Sequence, residues 1–135
     1  MGGRNQVIAV DTNVLVRYLT NDDAGQARRA LALLGHADGV FVAKTVLLET
    51  EWVLRAVYAL SPEAIRKSLL HVCGLPNVTV EDGRAVTHAL DAYAQGLDFA
   101  DALHCASSPG TETFYTFDEK LVRGGAKLGL AVMSA

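Results

Sequence analysis

The sequence predicts an α/β fold in which a parallel β-sheet is covered by helices on both faces. Three observations lead there. Short apolar runs alternate with longer segments of helical periodicity along the whole chain. The runs are continuous in polarity, as expected for strands buried on both sides. The 135 residues contain no repeat, linker or low-complexity tract, so one domain over 1–135 is expected.

The first strand is Val7 to Val10 and runs into Asp11. Val14 to Leu19 follows at helical spacing, and Asn21-Asp22-Asp23 turns the chain and caps a helix from Ala24 to Leu34. Val40 to Ala43 is the second strand, and Thr45 to Leu60 has the best helical pattern in the chain. Ser61-Pro62 opens the next helix, with Ser as N-cap and Pro at the first position, and Gly74 and Pro76 end it after Cys73. Val78 to Val80 is the third strand. Arg84 to Gln95 and Phe99 to Ala106 are helices, the second capped by Asp98. Thr113 to Phe117 is the fourth strand, running into Asp118; Glu119 to Val122 is a helical turn, and Leu128 to Met133 is a last strand.

This arrangement gives four acids a common destination. In an open parallel sheet, ligands sit beyond the carboxyl ends of the strands. Asp11 and Asp118 follow two such ends, and Glu49 and Asp101 lie near the starts of helices that can reach the same edge. Converging carboxylates repel: two unit charges ~4 Å apart cost roughly 4 kcal/mol at an effective dielectric near 20. A hard divalent cation relieves that repulsion, and the chemistry that fits is hydrolysis of a phosphodiester. Each acid alone has a plainer role. Asp11 and Asp118 suit helix caps, and Asp98 with Asp101 suits a cap followed by an acid in the first turn.

Glu49 and Glu51 are two residues apart and point roughly 200° away from each other on a helix, so only one can face the site. Glu51 precedes Arg55 by four, the favourable order for a surface ion pair. Glu49 precedes Trp52 and Val53 at the margin of the expected apolar face. Glu49 is therefore the site candidate and Glu51 the solvated residue.

Composition narrows the classes. Half the residues are apolar, which is enough to build a core without staples. The net charge of -3 lacks the basic excess usual in nucleic-acid binders, so cations and local arginines must offset repulsion from a polyanion. Cys73 and Cys105 lack metal-type spacing and read as buried reduced thiols. His36, His71, His88 and His104 are scattered and read as packed or capping residues, although His104 follows Asp101 by three. There is no Gly-rich phosphate loop and no nucleophile elbow. Met1 to Gln6 has no apolar signal core and no run is long enough to span a membrane, so a cytoplasmic location is expected.

Four blocks resemble VapC-type toxins of the PIN-domain superfamily. They are Val10-Asp11-Thr12-Asn13-Val14-Leu15-Val16-Arg17-Tyr18-Leu19; Val46-Leu47-Leu48-Glu49 followed by Trp52-Val53-Leu54-Arg55; Asp98-Phe99-Ala100-Asp101-Ala102-Leu103; and Thr116-Phe117-Asp118. They come in the family's order and cover nearly the whole chain. The resemblance implies a PIN-like three-layer α/β/α sandwich with a central parallel sheet. It also implies Mg²⁺ or Mn²⁺ held by carboxylates, and endonucleolytic cleavage of RNA as the toxin of a type II toxin-antitoxin pair. A homodimer and a cognate antitoxin that occludes the site are implied as well. By position, Asp11, Glu49 and Asp101 are the main acids and Asp118 the fourth. Asn13 and Thr116 orient Asp11 and Asp118, and Asp98 supports Asp101. Glu51 departs from the apolar residue the resemblance leads one to expect there.

Other classes fit less well. A phosphoacceptor receiver domain needs a Lys after its last strand, and the chain ends Val132-Met133-Ser134-Ala135. A phosphatase with an Asp nucleophile calls for a second Asp at position 13, where Asn13 stands. A PIN fold kept only for binding has no need of all four acids.

Overall fold

A computed structural model describes residues 6–135. The signal-free reading of the N-terminus rests on residues that, except for Gln6, lie outside the described ones. Two compact units divide the chain, one ending at Gly83 and the other running from Arg84 to Ala135.

In the first unit the elements are β1 (Val7–Ala9), α1 (Thr12–Leu19), α2 (Ala24–His36), β2 (Gly39–Val42), α3 (Lys44–Ala56), α4 (Pro62–Cys73) and β3 (Val78–Val80). The strands form one parallel sheet in the order β1-β2-β3, with Ile8 beside Val40 and Val40 beside Val78. Helices connect the parallel strands, as such crossovers require. The core of this unit is built from Leu15, Val40, Val42, Leu47, Leu54, Ile65 and Leu69, all essentially inaccessible. Ser61 caps α4 through its hydroxyl, and Pro62 occupies the first turn, as the sequence predicts.

The second unit holds α5 (opening at Gly83 and running to Ala94), α6 (Phe99–Ala106), β4 (Phe114–Thr116), α7 (Glu119–Lys127) and β5 (Val132–Ser134). β4 and β5 are parallel, with Tyr115 beside Met133. Tyr93 and Phe99 pack edge to face within its core.

Boundaries move in three places, each for a local reason. α3 stops at Ala56 rather than Leu60, and Ala59 takes a left-handed conformation (φ 53°) as the chain turns away. α7 runs through Gly124 and Gly125 instead of ending near Val122. These glycines permit close packing: a Cβ at Gly125 would lie 2.8 Å from the Val132 side chain, and one at Gly124 would lie 2.9 Å from Leu97. The last strand is accordingly shorter and later than expected, after Gly129 turns the chain at φ 74°. Among the described residues no helix is long and apolar enough to cross a membrane. Both cysteines are free and half-buried rather than buried, and burial pushes their thiols upward, with Asp101 adding to the effect at Cys105.

Candidate active site

In the first unit, Asp11 leaves the end of β1 and caps α1. Its Oδ1 accepts the Val14 amide at 3.2 Å. This realises the plain reading of Asp11 without exhausting the residue, because Oδ2 takes no hydrogen bond among the described residues. The next residue, Thr12, is buried, and its hydroxyl donates to Glu49 Oε1. α1 and α3 are thus joined one residue from Asp11, through a carboxylate that is itself solvent-exposed. Thr12 was not among the expected site residues; its one sequence signal is a hydroxyl beside Asp11 at a strand end.

Glu51 corrects the expected phase of α3. It is not solvated: it is 2% exposed, and the buried face of the helix is Leu47, Thr50, Glu51 and Leu54. Trp52 is instead 54% exposed. The pairing with Arg55 holds, at 2.8 Å from Nε to Oε2 and 3.4 Å from Nη2 to Oε1. The apolar residue expected at this position was the better guide to burial. A buried carboxylate survives here because a forked, charge-assisted partner offsets its desolvation.

The second unit gathers Asp98, Asp101 and Asp118. Asp98 caps α6 and accepts the Asp101 amide at 3.0 Å. Asp118 caps α7, accepting the Lys120 amide at 2.9 Å and the Leu121 amide at 3.3 Å on one oxygen. Thr116 Oγ1 accepts the Asp118 amide at 3.0 Å, which fixes the backbone that carries the acid. Partial burial, reinforced by the charges of Asp98 and Asp118, pushes the Asp101 carboxyl above its ordinary value, with His104 opposing.

The folded form of Asp101 therefore holds its proton to higher pH than the unfolded chain does. Its contribution to stability is most favourable below the ordinary value of 3.8 and is lost as pH rises through the raised one. At neutral pH the strain is fully present. Asp101→Asn is expected to raise the melting temperature in chelator at pH 7 and to leave it nearly unchanged near pH 3. Thermal melts at the two pH values check this, and equal shifts at both would place the origin of the effect outside the carboxylate charge.

The four expected acids thus appear as Asp11 and Glu49 in one unit and Asp101 and Asp118 in the other. Among the described residues no three His, Cys, Asp or Glu side chains form a group that could hold a metal ion. The donor chemistry nevertheless suits a hard divalent cation: carboxylate oxygens, with Oδ2 of Asp11 and of Asp118 outside the capping bonds. His71 is otherwise engaged, stacked on Tyr18 and sharing a 2.6 Å hydrogen bond with its hydroxyl.

The fold is thus an α/β protein with parallel strand pairing and acids at helix caps that follow strand ends. The chain belongs to the PIN domain family, which matches residues 8–127. None of the curated proteins matches it in sequence. Similar solved structures include the Mycobacterium tuberculosis VapC20 toxin, described as cleaving the sarcin-ricin loop, at 18% identity and a TM-score of 0.43 over 89% of this chain and 95% of that one.

Proposed function

We propose that this protein is a divalent-metal-dependent endoribonuclease, the toxin of a type II toxin-antitoxin pair, and that residues 1–135 act as one PIN domain with a three-layer α/β/α architecture around a central parallel sheet. The observation that carries the reading is the family match, which spans all four acids. Asp11, Glu49, Asp101 and Asp118 are the proposed metal-binding and catalytic carboxylates. Mg²⁺ or Mn²⁺ bound there supplies charge neutralisation at the phosphate and a lowered pKa for the attacking water.

The remaining work falls to the chain itself. The caps on α1 and α7 hold Asp11 and Asp118 in single orientations while leaving one oxygen of each open. The Thr12 hydroxyl orients Glu49, Thr116 steadies Asp118, and Asp98 fixes the helix start that carries Asp101. Asn13 stands beside Asp11 in the first turn of α1, in the same supporting role. The raised Asp101 carboxyl is relieved when positive charge arrives. A homodimer and a cognate antitoxin complete the proposal. Exposed Leu31 and Leu33 of α2 supply apolar surface that supports an antitoxin contact, whereas Val16 of α1 is core.

The test is cleavage of single-stranded or looped RNA by purified protein. Activity is expected with Mg²⁺ or Mn²⁺ and is expected to stop in chelator. Undiminished cleavage in chelator would point to a metal-free mechanism and overturn the assignment of the acids. Titrating the product of the neighbouring gene against cleavage tests the toxin assignment separately.

A further inference from the structure

We propose that the groove between α1 and α2 binds the phosphodiester backbone of single-stranded RNA through Arg17 and Arg29 and leads it toward Asp11. The inference rests on the ribonuclease reading and adds a substrate path to it.

The groove has a volume of about 350 Å³. Asn13, Arg17, Gln26 and Arg29 supply its polar lining, Val14 and Leu33 supply apolar wall, and no carboxylate lines it. On a chain with a net charge of -3 that leaves one cation in excess, Arg29, since Arg17 is paired with Asp22 outside the lining. The neighbouring depression along α2 shares Gln26 and Arg29 but adds Arg28 and the carboxylate of Asp23. A polyanion is the complementary occupant, and the apolar wall suits the ribose and base faces between phosphates.

Arg17 is built for this role. Its Nε donates to Gln26 at 2.7 Å, and its Nη1 donates to Asp22 at 2.9 Å and to the Tyr58 hydroxyl at 3.2 Å. Tyr58 in turn donates to Asp22 at 2.6 Å, and Thr20 donates to the same carboxylate at 3.2 Å. The hydroxyl of Tyr58 holds Asp22 below the ordinary carboxylate range, so the anchor stays charged. The guanidinium is pinned on one edge, and Nη2 makes no hydrogen bond among the described residues. A fixed fork with one open donor nitrogen suits a phosphate oxygen and loses little entropy on binding. Arg29 is exposed and has no ion pair or hydrogen bond among the described residues, so its charge is available. Asn13 brings the groove to the first turn of α1, which Asp11 caps, one helical turn (about 6 Å) from Arg17.

The experiment is fluorescence anisotropy of a labelled single-stranded oligoribonucleotide in chelator, where binding is read without cleavage. Arg29→Ala is expected to weaken binding about fivefold to tenfold and to flatten the dependence of log Kd on log salt by about 0.7, one phosphate contact. Arg17→Lys keeps the charge but loses the fork, and is expected to weaken binding to a similar degree. Arg28→Ala, one residue along α2 and outside the groove, is expected to bind like wild type. If Arg29→Ala and Arg17→Lys bind and cleave RNA normally, the groove proposal is overturned and the ribonuclease reading stands. If those variants keep RNA affinity but escape inhibition by a protein partner, the groove belongs to that partner and the proposal is again overturned. Wild-type protein that neither binds nor cleaves RNA removes the ribonuclease reading and the groove with it.

Discussion

Replacing Asp11 by Asn is expected to lower RNA cleavage by at least about a hundredfold, because loss of a group one step removed from a metal already costs roughly 10- to 100-fold. The substitution keeps the side-chain shape and an oxygen for the Val14 amide, so α1 remains capped. What it removes is negative charge on the oxygen that the cap leaves open. Glu49→Gln is expected to act similarly, and Thr12→Val more weakly, since it only releases Glu49 from its hydroxyl donor. Single-turnover cleavage at saturating Mn²⁺, with circular dichroism to confirm folding, measures the loss. An Asp11→Asn protein that cleaves at the wild-type rate would leave the residue as a cap and nothing more, and a compensating rise in activity at high Mn²⁺ would place its role in metal affinity.

The plain readings of three acids were legible in sequence, and the structure bears them out. Asp11, Asp98 and Asp118 each stand immediately before a helix, and each does cap it. A cap uses one carboxylate oxygen and fixes the rotamer, so capping is compatible with the proposed site role of Asp11 and Asp118. The strand and helix order was legible for the same local reasons: apolar runs, a Ser-Pro helix start and stops at glycine. Tertiary packing decided the rest. Gly124 and Gly125 lie beyond the helical turn expected to end at Val122 but are helical contact points for Leu97 and Val132. Arg17, Asp22, Gln26 and Tyr58 meet across separations of up to 41 residues, and no spacing rule announces such a network. Helical phase also failed locally. Charge and the Glu51-to-Arg55 spacing both suggested a solvated pair, while burial was set by Leu47 and Leu54 one turn to either side.

That buried pair makes the second large effect a matter of stability. Arg55→Ala is expected to destabilise the protein by about 2 kcal/mol, with little change in cleavage rate per folded molecule at low temperature. Removing one partner of a fully buried pair costs roughly 3–5 kcal/mol. The figure here is lower because the Arg55 side chain is 45% exposed and its attraction is partly screened, whereas the Glu51 side chain is only 3% exposed. The arginine side chain keeps access to water when the pair is broken, whereas the glutamate side chain stays enclosed. The two single substitutions are therefore unequal. Glu51→Leu places an apolar side chain between Leu47 and Leu54 and leaves a half-exposed cation, so it is expected to cost less than Arg55→Ala. In the double substitution the Arg55→Ala penalty is expected to shrink to a few tenths of a kcal/mol, the scale of an exposed helical change. Urea denaturation of the four proteins closes the cycle. Additive losses would mean that Arg55 contributes through packing of its stem rather than through the carboxylate, and a silent Arg55→Ala would return Glu51 to solvent and with it the expected phase of α3.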